Sequence, residues 1–322
     1  MTERRRIHAI NIRDFRGIDA LDLDFTDGTG APLDVVVLAG ANGSGKTSVL
    51  EAIFLANDSL EEHPPTGACV RFGRTTSYIE VRGRSSLNTL EIEANGESSA
   101  MNDGKASLEY FSVRRSLYPL ADPSPRVREE SQRVEELEKR LISAYYRSLR
   151  GRGGKQSPIF TRIQTLWKRF DARGRRLEVL PRDNNPGSGD LVLLCDGGPI
   201  PDDITSFAMA RNLASTRPDI PTLVPLDALS SGQMALFAFA GPLVFRDEPA
   251  DIVLIDEPEQ HMHVQWQRLL LPALRELCPD TQFIVATHSE EILDSVLSYE
   301  RFILVDNDDP RARDVEPGAA AE

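Results

Sequence analysis

The stretch Gly40-Ala41-Asn42-Gly43-Ser44-Gly45-Lys46-Thr47 constrains this chain more than any other. It fits Gly-x₄-Gly-Lys-[Ser/Thr], a loop whose glycines leave backbone N–H groups free to turn inward around phosphates. Lys46 brings a positive charge to the β and γ groups, and the Thr47 hydroxyl can ligate Mg²⁺. The flanks agree with that reading. Asp34 to Ala39 has the continuous apolar run of a buried strand. Thr47 to Ala56, with Val49, Leu50, Ile53 and Phe54 on one face, predicts an amphipathic helix. A strand, a phosphate loop and a helix in this order predict an α/β fold that holds a nucleoside triphosphate, ATP with Mg²⁺.

The chain has 322 residues, of which 40% are hydrophobic and 27% charged, enough for a substantial core. Arg4-Arg5-Arg6 is basic, but the residues from Ile7 to Asp14 are not the apolar run of a secretory signal. No stretch nears the roughly 18 apolar residues of a membrane span. Cys69, Cys195 and Cys278 lack metal-ligand spacing and predict buried thiols in a reducing cytoplasm. Formal net charge is −13, which argues against a surface that coats nucleic acid everywhere. From Val113 to Arg182, however, 18 Arg and Lys stand against 8 Asp and Glu. A local polyanion contact would need such asymmetry; a solvated helical face balanced by glutamates is the other reading.

In chain order, residues 7–25 predict two strands joined at Asp14-Phe15-Arg16-Gly17. Cys69–Arg74, Ser77–Arg84, Thr89–Ala94 and Ser107–Val113 predict a short-stranded antiparallel lobe beside the nucleotide site. Val134, Leu137, Leu141, Tyr145 and Leu149 recur at helical spacing, with acid-to-base pairs such as Glu135–Lys139 and Glu136–Arg140. A second amphipathic segment follows with Phe160, Ile163, Trp167 and Phe170. Together they predict a short helical insertion within 113–182 of a single domain covering 1–322. Leu177–Leu180 and Leu191–Cys195 return to strand around a turn at Asn184-Asn185-Pro186-Gly187. From Ser206 the expected order is helix, loop, helix, strand, helix, strand, helix, strand. Residues 311–322 predict a disordered tail.

The strand Asp251–Ile255 ends in Asp256-Glu257, where a phosphate-loop protein needs acidic groups. Asp256 would hold Mg²⁺ with Thr47, and Glu257 would deprotonate the attacking water. Leu229-Ser230-Ser231-Gly232-Gln233 resembles the ABC-ATPase signature, and Asp256-Glu257-Pro258-Glu259 with His288 resembles that family's Walker B motif and switch histidine. The opening strands, ending in Phe15-Arg16-Gly17, resemble the SMC, RecF and OLD-type ABC ATPases, which act on DNA, in DNA repair or in bacterial defence.

The resemblance implies a P-loop ABC-ATPase head with an antiparallel β lobe and a short helical insertion. It implies that Ser230 and Gly232 of one subunit cap the γ-phosphate held by another, so that ATP joins a homodimer. It further implies that Asn42 and Arg16 reach the phosphates beside Gly40, Gly43, Ser44, Gly45, Lys46, Thr47 and Ser48, and that Lys46, Glu257 and His288 carry catalysis. By residue chemistry alone, Ser230 or Ser231 is equally a helix cap, and Arg16 a solvent-facing turn residue. Glu259, His261 and His263 have the look of metal ligands, but match the family's loop after Walker B. Two departures stand out. No Gln occurs between Thr47 and Ser131 to join the Mg²⁺ shell, and the 34 residues after His288 are too few for the Toprim nuclease of OLD-type relatives. The expected function is therefore an ATPase that gates a separate effector, a nuclease or toxin. A DNA-binding sensor using the basic segment is the alternative.

Overall fold

The computed structural model describes residues 4–57, 67–103, 106–112, 130–150, 158–185, 189–246, 248–260 and 262–305. Arg114, Arg115, His261, the acidic run from Asp306 to Asp309 and the expected tail 311–322 lie outside them. The first half of the chain forms β1 (Ala9–Phe15), β2 (Ile18–Asp24), β3 (Val35–Ala39), α1 (Lys46–Asn57), β4 (Thr76–Arg82), β5 (Leu87–Glu93), β6 (Ser98–Asn102), β7 (Leu108–Ser112), α2 (Glu130–Arg150) and α3 (Pro158–Phe170). The second half forms β8 (Arg176–Pro181), β9 (Asp190–Asp196), α4 (Phe207–Leu213), β10 (Thr222–Pro225), α5 (Ser231–Val244), β11 (Ile252–Asp256), α6 (Val264–Leu277), β12 (Gln282–Thr287), α7 (Glu290–Asp294) and β13 (Arg301–Ile303). These elements fall into two compact units, one comprising 1–127, 250–260 and 280–322, the other 128–249 and 261–279.

In the first unit, an antiparallel sheet of order β2-β1-β4-β5-β6 and a parallel sheet of order β13-β3-β12-β11-β7 share one core with α1. The parallel strands read as continuous apolar runs because both their faces are covered: every residue of β3, β11 and β12 is buried. The alternation expected of a half-exposed strand survives in β4, whose Ser77, Ile79 and Val81 point inward. Helix α1 departs from the amphipathic expectation. It packs against strands of both sheets, so ten of its twelve residues are buried, including Glu51 and Asn57. A helix covered all round needs no polar face.

Further differences follow from pairing that local sequence does not encode. The run at Ser107–Val113 was expected in the antiparallel lobe; β7 instead lies parallel to β11, with Leu254 opposite Tyr110 and Asp256 opposite Ser112. Its Leu108, Tyr110 and Phe111 are all buried, as suits a strand sandwiched on both faces. Cys69–Arg74 is not a strand but a short 3₁₀ turn over Gly67–Cys69, with one bridge from Val70 to Phe15. Two strands were not anticipated. β6 is a polar edge, and β10 ends in Pro225, a residue suited only to a strand edge.

The second unit packs the three-stranded antiparallel sheet β10-β9-β8 with α2, α3, α5 and α6. The helical periodicity read between 134 and 170 is the core side of α2 and α3: Val134, Leu137, Leu141, Phe160, Ile163, Trp167 and Phe170 are buried. Trp167 stacks on Phe237 of α5 at 5.0 Å and meets Trp266 of α6 edge-on at 6.1 Å. Arg162 of α3 donates to the carbonyls of Val244 (3.4 Å) and Leu277 (2.9 Å), satisfying the open ends of α5 and α6. The two predicted helices are thus part of the core of the second unit. All three cysteines are buried, and no described helix is long and apolar enough to cross a membrane.

Candidate functional site

Three parallel strands of the first unit deliver the expected residues to one level. β12 pairs with β3 so that Thr287 lies opposite Ala39, and with β11 so that Ala286 lies opposite Asp256. The residues that follow them, Gly40, Glu257 and His288, therefore leave adjacent strands at the carboxyl edge of the sheet, the usual place for a ligand in such folds. Thr47 Oγ1, at the start of α1, donates to the Asp256 carboxylate, 3.1 Å from each oxygen. A hydroxyl and a carboxylate in contact form the hard-oxygen pair that Mg²⁺ prefers.

The loop between β3 and α1 is shaped for phosphate. Lys46 is buried, and its Nζ donates to the carbonyls of Gly40 (3.0 Å) and Ala41 (2.9 Å), which folds its charge into the loop. Ser44 Oγ is buried within the loop with no hydrogen-bond partner, a loss a phosphate oxygen would make good. Gly40 has φ +150°, and a Cβ there would strike the Leu304 carbonyl and lie 2.8 Å from Ser44 Oγ. No other residue fits that position. Asn42 and Gly43 are exposed at the loop tip, while Gly45, Thr47 and Ser48 are half-buried. The residues present fit a nucleotide triphosphate and its metal.

Glu257 is nearly enclosed, with its side chain 10% exposed and its backbone at φ +49°. For a residue with a side chain, that conformation costs on the order of 1 kcal/mol and persists only where surroundings enforce it. Here the enforcement is visible: Glu257 N–H donates to the Ala286 carbonyl at 2.8 Å, and the Gln260 amide donates to the Glu257 carboxylate. His288 Nε2 stands 3.8 Å from the other carboxylate oxygen. Glu259 binds the opposite strand end, accepting from Thr287 Oγ1 (2.8 Å) and His288 N–H (2.6 Å).

Gln260 and Glu259 were not singled out for these positions by sequence. Of the three residues with the look of metal ligands, Glu259 and His263 are described and His261 lies outside the described residues. His263, of the second unit, caps α6 by accepting from Gln265 N–H at 3.3 Å. If Glu259 positions His288, Glu259→Ala should lower kcat by about ten- to a hundredfold, the value of one or two charge-assisted hydrogen bonds, while KM for ATP moves little. Glu259→Gln should recover part of the loss, because its single carbonyl can restore one of the two bonds. Equal losses in both variants would remove the positioning role.

Arg16 is neither solvent-facing nor idle. It sits at φ +51° in the β1–β2 turn, its N–H donates to the Cys69 carbonyl at 2.7 Å, and its guanidinium forms an ion pair with the buried Glu51 of α1. The pair fixes the β1–β2 turn against the helix that starts at Lys46. Glu51 gave no sequence signal, since it reads as an ordinary helix acid.

The signature lies in the second unit. Ser230 is the cap of α5: Gln233 N–H donates to its hydroxyl at 3.4 Å, and the Gln233 side chain accepts from Ser230 N–H at 3.1 Å. The capping alternative is thus realised, and it leaves Ser230 and Ser231 exposed at the start of a fourteen-residue helix, with Gly232 buried behind them. In the basic segment, the described charges are largely met within the unit. Lys139 pairs with Glu135 (2.6 Å), Arg175 with Asp171 (3.0 Å), Arg176 with Glu178 (2.8 Å) and Arg169 with Glu276.

Comparison with known proteins agrees with this geometry. A family model described as an AAA ATPase domain matches residues 6–118, and one described as "AAA domain, putative AbiEii toxin, Type IV TA system" matches residues 222–294. The Septu protein PtuA of Bacillus mycoides (strain KBAB4) is 24% identical over 96% of this chain and 42% of its own length. The Retron Vc95 probable ATPase of Vibrio cholerae serotype O1 biovar El Tor is 32% identical over 28% of this chain and 19% of its own. The chain thus spans less than half the length of either relative. Among solved structures, an SMC head bound to the C-winged helix domain of ScpA superposes with a TM-score of 0.55 at 14% identity, covering 90% of this chain and 91% of that one. With the phosphate loop, the acidic strand end and these matches in agreement, the chain is a P-loop ATPase that carries AAA ATPase domain sequence and has the fold of an SMC head.

Proposed function

We propose that this ATPase dimerises on ATP with composite sites and uses closure and hydrolysis to drive a separate effector, a nuclease or toxin, in prokaryotic anti-phage defence. The observation that carries the reading is the cluster at the strand ends, where Thr47 touches Asp256 and the enclosed Glu257 faces His288. Lys46 and the loop N–H groups hold the β and γ phosphates, and Arg16, Asn42 and Ser48 complete the cradle. Thr47 and Asp256 hold Mg²⁺, which supplies charge neutralisation at the phosphates when bound. Glu257 takes a proton from the attacking water, and His288 steadies the γ-phosphate or that water.

The exposed start of α5 supports the composite site. Ser230 with the first N–H groups of a long helix makes an anion-binding end open to a second subunit. The defence role and the effector rest on the Septu and retron relatives and on the toxin–antitoxin wording of the family that matches residues 222–294. Light scattering tests the dimer directly. The mass per particle should rise twofold when ATP and Mg²⁺ are added to the 35.7 kDa chain, and return when hydrolysis is complete. A mass indifferent to ATP would sink the composite-site reading.

A further inference from the structure

The two oxygens of the Glu257 carboxylate have different surroundings. Oε1 stands 3.8 Å from His288 Nε2, while Oε2 accepts from the side-chain amide of Gln260. A glutamate side chain turns about several torsions, so a carboxylate that is to meet water from one fixed direction needs a contact that settles its orientation. Gln260 supplies such a contact.

A tight turn builds it. Glu257-Pro258-Glu259-Gln260 follows the end of β11, and Gln260 N–H donates back to the Glu257 carbonyl at 3.2 Å, which closes the turn. Pro258 stands at the second position, where its preset φ of about −65° suits such a turn. Glu257 N–H is taken by the Ala286 carbonyl of β12 at 2.8 Å, so the near end of the turn is anchored to the sheet. The backbone of residue 257, at φ +49°, is thereby held on both sides.

The last two side chains of the turn go to different places. Glu259 reaches the end of β12, accepting from Thr287 Oγ1 and His288 N–H, whereas Gln260 turns back on Glu257. Gln260 thus holds Glu257 by its backbone and again by its side chain. The second hold has a chemical polarity. An ionised carboxylate only accepts, so the amide nitrogen must face it; an acceptor in that place would set oxygen against oxygen. Asp256, Glu257 and Glu259 are all acidic, and at position 260 a neutral donor follows them.

A nearly enclosed carboxylate held at one oxygen presents the other in one direction. We propose that Gln260 is a positioning residue for hydrolysis: its amide fixes Oε2 of Glu257 and so leaves Oε1, on the His288 side, to take the proton of the attacking water. The inference rests on the reading of Glu257 as the base. It adds a residue that acts through that carboxylate and not on the nucleotide.

The test uses the full chain with Gln260→Leu, which removes the donor at similar volume, and Gln260→Ala, which removes it without bulk. Turnover should fall by about tenfold to a hundredfold in both, the value of a hydrogen bond to a charged group. Affinity for methylanthraniloyl-ATP with Mg²⁺, read by fluorescence, should stay within about threefold of the parent, and both variants should melt with it. Each substitution is then repeated in Glu257→Gln, with the slow remaining turnover followed by radiolabelled ATP. There it should change the rate by less than about twofold, because the group it orients is gone. Equal proportional losses in the two backgrounds would give Gln260 a merely structural part and overturn the proposal, as would parental turnover in Gln260→Leu and Gln260→Ala. Near-parental turnover in Glu257→Gln alone would instead withdraw the base from Glu257, and the positioning role with it.

Discussion

Glu257→Gln is expected to lower steady-state ATP turnover by at least about a hundredfold while leaving ATP affinity within about threefold of the parent. The substitution keeps the shape of the side chain. Its amide carbonyl can still accept from Gln260, so the left-handed backbone at 257 remains supported. What disappears is the nearly enclosed carboxylate that faces His288. Lys46, Thr47 and Asp256 are untouched, so nucleotide and metal should load as before. Under the composite-site proposal the loaded state then accumulates, and light scattering should show a dimer that persists for as long as ATP is present. Phosphate release close to the parental rate would take the role of base away from Glu257.

Ser230→Arg separates dimer closure from nucleotide binding. Loss of the Ser230 cap costs the α5 start about 1 kcal/mol, a modest part of the stability of a domain. Ser230→Ala carries that cost alone and serves as the comparison in thermal melting. The arginine adds bulk and charge at an exposed helix start that is proposed to meet another subunit. Turnover should therefore fall by about a hundredfold or more, and the ATP-dependent dimer should vanish, with nucleotide affinity unchanged. Weakened ATP affinity in the arginine variant would instead place residues 229–233 in the binding of nucleotide by their own chain.

Much of the ATPase was legible before any coordinates, because its motifs are local. Gly40 and Gly45 specify backbone that few other residues adopt, Lys46 and Thr47 follow at fixed spacing, and Asp256-Glu257 closes an apolar run of strand length. The α2 and α3 cores were legible for the same reason: helical period makes Leu137, Leu141, Ile163 and Trp167 neighbours on a face whatever else surrounds them. β7 was not. A five-residue strand with three apolar residues carries no mark of its partner, and the bond ladder that places it beside β11 joins residues more than 140 positions apart.

The sequence by itself determined the phosphate-loop motif at residues 40–47, the acidic end of a buried strand, and which residues are glycine, lysine and carboxylate there. These follow from backbone freedom, charge and period, all of which act over a few residues. Tertiary structure alone decided what surrounds them. It set Gln260 against Glu257, Glu259 on the Thr287 hydroxyl and the His288 N–H, and Arg16 on Glu51. Each of those contacts is a side-chain meeting whose geometry depends on strand register and turn packing, and register is a property of the assembled sheet.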